Sequence, residues 1–459
     1  MRNIGRPKTK ALWRGRYRWA LRTLSMLIAV ALGMAMPLVV VAQNSGDAPL
    51  VVETVEIEGL DRTKPYVVER EFEFEVGATT SHEEIEATLR RLRNLEMVGD
   101  VNHELRSLGP ELDEPGEPVG GPVELHLEFE ERWTLLPITN FRRSGDVTLL
   151  RLGAYDTNLL GHYLEFGAAF ERLAGVNAGE AWFRNPRLFH RRIDAGVEGA
   201  YRNRLYTLYD DGGDIEGGFL LRQFAGVVDA DYELLPWLRS GLRLEVADAA
   251  PGLDVVSDEI RRAQEERGLP PQTRLVRPGV TVQLGRLDQY GHHMDGAVAR
   301  VRVDGAHRRL LSTESFVAIE NEIIAARTLF RESHVAARFL TGATGAQALH
   351  NQFFVGGLDE LRGFRDMRFR GAYRWTANLE YRLPSIMTDW VVVQHAIFAD
   401  AATAGPDPGD LWGLSGSSIG GGIRLLSPKI HGLVLRLDYA YSLNGDGDAP
   451  WSFGGEQFF

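Results

Sequence analysis

The chain has 459 residues, more than one ordinary domain uses, and carries 63 acidic against 51 basic side chains for a net charge of −12. It contains no cysteine, which excludes disulfide frameworks, thiolate nucleophiles and cysteine-based zinc sites. A chain of this kind must be held together by burial and hydrogen bonding alone.

Eight basic residues from Arg2 to Arg22 precede any acid, and an apolar run from Thr23 to Ala42 follows them. A basic region, an apolar core and the ending Val40-Val41-Ala42-Gln43 describe a signal peptide over residues 1–42, removed after Ala42. The rival reading is an uncleaved anchor, since about 20 apolar residues span a bilayer. No other stretch is comparably apolar, so a helical membrane protein is excluded.

Residues 50–132 predict a small α+β module. Val51 to Glu58 alternates as a strand that ends at Gly59. Pro65 opens a helix through Val67, Val68 and Phe72, as suits proline in a first turn. Ser81 with Glu84 three residues on forms a capping box for a second helix, whose Ile85, Leu89, Leu92 and Leu95 fall on one face. Strands at 101–105 and 123–129 complete the order strand, helix, helix, strand, strand, and the segment 110–122, with its four prolines, is a loop between the last two. The order of these pieces, with Arg62-Thr63, Val68, Arg70 and Gly77, resembles a POTRA domain.

From Trp133 to the end at Phe459 the pattern changes to short strands separated by Gly, Asn and Asp. Clear strands fall at 147–155, 163–172, 193–201, 218–232, 238–246, 276–284, 298–304 and 433–441. Charged and apolar residues alternate in them: Arg300, Arg302 and Asp304 oppose Ala299, Val301 and Val303, and Arg436 and Asp438 oppose Leu435, Leu437 and Tyr439. A soluble sandwich alternates too, but aromatics at both ends of apolar faces favour a transmembrane barrel with a wet, charged lumen. Segments 185–189, 235–237 and 383–386 read as compact turns. Asp248 to Thr273 reads as a long outer loop with a short helix at 259–266.

One stretch stands apart. Val355 to Arg365, rich in glycine, is a long loop carrying an arginine. The strand after it, Ala372 to Arg382, places Tyr373, Trp375, Ala377, Leu379 and Tyr381 on one face and Arg374, Thr376, Asn378, Glu380 and Arg382 on the other.

Leu361-Arg362-Gly363-Phe364 resembles the loop motif of the Omp85 superfamily, which takes in the BamA and TamA families and two-partner-secretion transporters. Asn378 to Arg382, Phe398-Ala399-Asp400, Gly420 to Arg424 and Leu435 to Ala440 resemble that superfamily's last barrel motifs in the same order. The resemblance implies a membrane all-β fold, a 16-stranded antiparallel barrel over residues 133–459 behind the POTRA-like module. It also implies that Arg362 folds back into the lumen and pairs with Glu380 and Asp400. A guanidinium suits such acceptors because its planar fork matches a carboxylate. The terminal Phe459 resembles the C-terminal signal of outer-membrane barrels. Leu361 stands where the motif has Val or Ile, and Ala401-Ala402 where a glycine often follows the Asp.

The resemblance implies a bacterial outer-membrane protein that inserts or translocates polypeptides. Its POTRA-like module would receive unfolded outer-membrane or secreted clients in the periplasm, with accessory periplasmic or lipoprotein subunits as further partners. A passive outer-membrane porin is the alternative, and an adhesion barrel using the 248–273 loop a third. No catalytic constellation is present, so no enzyme activity, cofactor, metal or nucleic-acid partner is expected. The run Gly416 to Gly422 reads either as weakened strand pairing or as a bend.

Overall fold

The protein is described by a computed structural model that covers residues 49–108, 121–144, 147–173, 175–290, 293–430, 433–444, 447 and 449–454, the side chains of 140–144, 147–149, 289–290 and 293 excepted. The signal peptide expected over 1–42, most of the 110–122 loop and Phe459 lie outside these residues.

The N-terminal module runs β1 (Leu50–Glu58), α1 (Pro65–Glu69), β2 (Thr79–Thr80), α2 (His82–Arg93), β3 (Val98–Ser107) and β4 (Gly121–Glu131). Its sheet has the order β2-β1-β4-β3, with β1 parallel and β3 antiparallel to β4. The amphipathic face of α2 closes over the sheet, and Val52, Leu89, Leu92, Leu125 and Leu127 are fully buried between them. The Ser81 hydroxyl accepts from Glu84 N–H at 3.2 Å, and the Glu84 carboxylate accepts from Ser81 N–H at 2.9 Å, which completes the capping box. Two details differ from the sequence expectation. Helix α1 ends at Glu69, so Phe72 lies in the following turn and stacks on Phe74 at 5.1 Å. The two-residue β2, too short to give a periodicity, pairs with the start of β1.

The rest of the chain is one sixteen-stranded antiparallel sheet. In chain order it comprises β5 (Leu135–Ser144), β6 (Val147–Asp156), β7 (Glu165–Leu173), β8 (Val176–Asn185), β9 (Ile193–Tyr209), β10 (Ile215–Leu235), β11 (Leu238–Gly252), β12 (Thr273–Tyr290), β13 (His293–Ala306), β14 (Phe316–Thr328) and β15 (His334–Thr344). After the short hairpin strands β16 (Phe353–Val355) and β17 (Phe369–Gly371), it continues with β18 (Tyr373–Met387), β19 (Val392–Gly405), β20 (Gly416–Leu426), β21 (Val434–Asn444) and β22 (Trp451–Gly454). Neighbours in sequence are neighbours in the sheet, except that β15 pairs with β18 across the β16–β17 hairpin. The long excursion after β11 folds as α3 (Asp258–Arg267), N-capped by Ser257.

The sheet is inverted relative to a water-soluble barrel. Along β18 the polar set Arg374, Thr376, Asn378, Glu380 and Arg382 is buried, whereas Leu379 is exposed. Along β21 Arg436 and Asp438 are buried while Leu435, Leu437, Tyr439 and Tyr441 face out, and Ile397 on β19 and Leu242 on β11 are 64% and 69% exposed. Apolar area left in water costs about 25 cal/mol per Å², so a belt of this kind belongs in lipid with the charged face lining the lumen. No helix among the described residues is long and apolar enough to cross a membrane; the strands cross instead.

Segment 383–386, expected as a turn, lies inside β18. Pro384 is accommodated by a register shift between Pro384 and Ile386, and the chain reverses at 388–391. Three hairpins at the same end of the barrel close on turns whose two central residues both have positive φ: Leu160–Gly161, Phe189–His190 and Arg331–Glu332. The closing bonds run from His162 N–H to Leu159 C=O, Arg191 N–H to Leu188 C=O and Ser333 N–H to Phe330 C=O, at 3.1, 3.1 and 3.2 Å. This is the type I′ pattern that Asn-Gly normally supplies. Leu and Phe there cost about 1–2 kcal/mol per residue.

The module docks on that end of the barrel. Arg187 on the β8–β9 turn grips the fully buried Glu71 with Nε at 2.7 Å and a second bond from Nη2. Arg91 on α2 bonds both Glu73 and Glu233, Arg192 reaches Glu73 at 2.8 Å, and Asn94 donates to Asp288 at 2.9 Å. Asn158 donates to the Thr63 hydroxyl at 2.8 Å, and Lys64 N–H to Gly161 C=O at 2.9 Å. Between α2 and the lumen wall lies a cavity of about 700 Å³ lined by Arg91, Glu96, Tyr163, Arg184, Asp231 and Arg382 among others.

Candidate functional site

The segment between β15 and β18 enters the barrel from the end opposite the module. Gly356, Gly357 and Gly363 take φ of 144°, 76° and 91°, which lets the chain descend and turn beside the wall. Leu361 and Phe364 are buried with Val355 and Ala402, and Phe364 lies 5.6 Å from Phe369. The loop's other arm packs Met367 against Tyr206, Phe219, Leu221 and Ala249, while Arg368 donates to the carbonyls of Asp210 and Asp211 at 2.9 and 3.0 Å. The loop thus bridges the β9–β11 wall to the β18–β21 wall.

At its tip Arg362 is completely buried. Nε and Nη2 donate to Oδ2 and Oδ1 of Asp400 at 2.8 and 2.9 Å, and Nη1 donates to Glu380 Oε2 at 2.7 Å. Beneath the guanidinium lies the Phe398 ring, its centroid 3.4 Å from Cζ. The structure therefore brings Arg362, Glu380 and Asp400 together.

The cluster is larger than those three. Glu380 Oε1 also accepts from Arg382 Nε at 2.7 Å and Arg424 Nη2 at 3.1 Å. Asp438 accepts from Arg424 and lies 3.5 Å from Arg362 Nη1. Asn378 donates to Asp400 at 3.0 Å. Loop anions are held in return by wall cations: Asp359 by Arg436 at 2.7 Å, and Glu360 by Arg374, which also reaches Glu320 at 2.8 Å. Arg362, Arg382, Arg424, Arg436, Glu380, Asp400 and Asp438 are all at most 2% exposed. Charges removed from water this far persist only when paired and hydrogen-bonded, and removal of one member leaves its partner uncompensated.

Asp438, Arg382 and Arg424 did not stand out as site residues in the sequence, although strand parity puts each on a charged face. The missing information is register: Asn378 opposes Asp400, Gln394 opposes Arg424, and Arg424 opposes Arg436.

The glycine run of β20 has its explanation here. The strand is paired on both sides over Ser418–Leu426, with a register shift against β21 at Ser417/Ser418. A Cβ on Gly420 would stand 2.2 Å from Tyr439 O and 2.4 Å from Phe398 Cζ. The run is thin where the ring that carries Arg362 must fit.

No group of His, Asp and Glu among the described residues could hold a metal ion. The cluster can fix a loop in a lumen.

A lipid-facing barrel with a charged lumen, crossed by a loop whose arginine is clamped to the wall, defines a transmembrane β-barrel with an in-folded loop. Residues 275–459 match the Omp85 superfamily domain. No curated protein matches the sequence. Among solved structures the fold is similar to that of BamA from Haemophilus ducreyi lacking POTRA domains 1–3, at 15% identity and a TM-score of 0.50 over 88% of this chain and 83% of that one. It is similar also to CdiB from Acinetobacter baumannii (10% identity, TM-score 0.51, 88% and 73%) and to CdiB from Escherichia coli (11%, 0.52, 91% and 92%). At these identities the likeness is one of fold.

Proposed function

We propose that this protein inserts or translocates polypeptides at the bacterial outer membrane, with the N-terminal module in the periplasm as the receiver of unfolded clients. The observation that carries the reading is the buried clamp of Arg362 on Glu380 and Asp400, which keeps a loop across a lumen that a solute channel would leave open. A passive porin is the alternative, and the loop together with the module docked over one mouth counts against it.

A client strand would add to an edge of the module's sheet, where β3 is the longer free edge at ten residues. Exit into lipid would use the seam between β5 and β22. Among the described residues no ladder joins these two strands, and β22 pairs with β21 only over Arg436–Tyr439. Accessory subunits would bind the module's exposed faces. The reading requires neither enzymatic chemistry nor a cofactor.

The test is depletion of the protein followed by a census of outer-membrane and secreted polypeptides. Loss of a defined set of them supports the proposal, whereas a change confined to solute uptake contradicts it.

A further inference from the structure

Five turns at the module end of the barrel have fully described tips, and every one carries an exposed large apolar side chain: Leu160, Phe189, Trp237, Phe330 and Trp390, each between 54% and 78% exposed. In two of them the apolar residue occupies a positive-φ position, Leu160 and Phe189 both at 55°. Bulky side chains avoid this conformation. It persists where the surroundings over-determine it, and such outliers mark functional sites more often than chance.

The surroundings are identifiable. The same two turns hold the module. Gly161 C=O accepts Lys64 N–H, His162 Nδ1 lies 2.9 Å from the Tyr66 hydroxyl, and the Tyr66 ring meets His190 edge-on at 6.2 Å. In the same turns the side chains of Leu160 and Phe189 are left exposed. Asn-Gly would close either hairpin with less strain, yet it would remove the outward apolar group. The tips also continue the lipid-facing belt, which reaches this end through Phe166, Phe183 and Leu235, all exposed. Among far-side turns, β9–β10 is Asp210-Asp211-Gly212-Gly213-Asp214, with no apolar residue, whereas Leu311 and Trp412 at that same end are 79% and 89% exposed.

We infer that the β6–β7 and β8–β9 turns are two-sided: one side docks the module, and Leu160 and Phe189 on the other enter the interfacial layer of the module-side lipid leaflet. Phe330, Trp237 and Trp390 extend that anchorage around the rim. Amphipathic and aromatic groups are stable at such a boundary because it offers apolar contact beside water. The arrangement fixes the height of the module against the membrane surface, so the sheet edge that would receive a client lies beside the leaflet. The inference does not depend on what the client is, or on there being one.

The absence of cysteine makes the test direct. Leu160→Cys and Phe189→Cys are made separately in the full-length protein, labelled with a polarity-sensitive fluorophore, and reconstituted in phosphatidylethanolamine/phosphatidylglycerol vesicles with Asp211→Cys as the aqueous control. Lipids carrying a shallow nitroxide quencher should quench both tip labels several-fold more than the Asp211 label, with blue-shifted emission, while aqueous iodide should quench them less. Tip labels quenched by iodide as strongly as the Asp211 label and untouched by the nitroxide lipid would overturn the inference. So would tip labels open to iodide that become protected only when a soluble protein is added, since the occupant would then be that protein and not lipid.

Discussion

Arg362 and Asp400 meet through two parallel hydrogen bonds, Nε to Oδ2 at 2.8 Å and Nη2 to Oδ1 at 2.9 Å, at zero and 2% exposure. A lysine has a single nitrogen and cannot reproduce this fork while also reaching Glu380. Arg362→Lys should therefore behave much like Arg362→Ala: a barrel that still assembles, with impaired function. Asp400→Asn leaves Arg362 buried with a lost counter-charge and should destabilise by about 3–5 kcal/mol. Urea unfolding of the reconstituted protein, followed by gel mobility of the folded barrel, measures both.

Asp438 touches the same guanidinium at 3.5 Å and shares Arg424 with Glu380. Asp438→Asn and Arg362→Ala should then be non-additive, with a coupling of about 0.5–3 kcal/mol. A double-mutant cycle on the same unfolding transition reads this coupling. Strict additivity would place Asp438 outside the clamp.

Gly420→Val fills the space occupied by the Phe398 ring. The expected result is a shifted ring, a loosened loop and a sporadic ionic current across a planar bilayer where the wild type passes little. An unchanged, quiet membrane would show that the glycine run serves some other end.

Docking of the module rests on buried charge pairs, Glu71 with Arg187 foremost. Arg187→Glu sets a second carboxylate against Glu71 and should expose the junction near Arg132 to protease. Glu71→Arg combined with it should restore protection, which a nonspecific fold defect would not allow.

Docking should also resist mild acid. Burial pushes the Glu73 carboxyl up, but the hydrogen bond and charge of Arg192 and the charge of Arg91 outweigh it and hold it below its ordinary 4.5. A depressed value means that the stabilisation from Glu73 is complete above its undocked titration and fades as pH falls through the docked one. Protease protection of wild type relative to Glu73→Gln should stay level from neutral pH to about 5 and converge only below 4.5.

Parity made the inverted barrel legible. Arg374 to Arg382 and Arg436 to Asp438 alternate so strictly that one face had to be wet, and the glycine-framed Arg362 needed acids to meet. The strand ends were less legible. The structure carries β9 on to Tyr209 through Arg202, Asn203 and Arg204, three successive polar residues that interrupt the alternation. Pro384 looked like a turn because a bulge that rescues a proline leaves no trace in a single strand. The wider arginine cluster and the docking of Glu71 on Arg187 depend on register and on contacts across more than a hundred residues, which periodicity does not encode.

The central claim is that a barrel plugged by the Arg362 loop moves polypeptides into or across the membrane. The most direct measurement reconstitutes the full-length protein in vesicles and follows protease protection of added unfolded outer-membrane or secreted polypeptides, for the wild type and for Arg362→Ala at equal levels of folded barrel. The account predicts faster protection with the wild type than with empty vesicles, and loss of most of that gain with Arg362→Ala. Equal rates for wild type, Arg362→Ala and empty vesicles, alongside a steady solute conductance in the wild type, would contradict it.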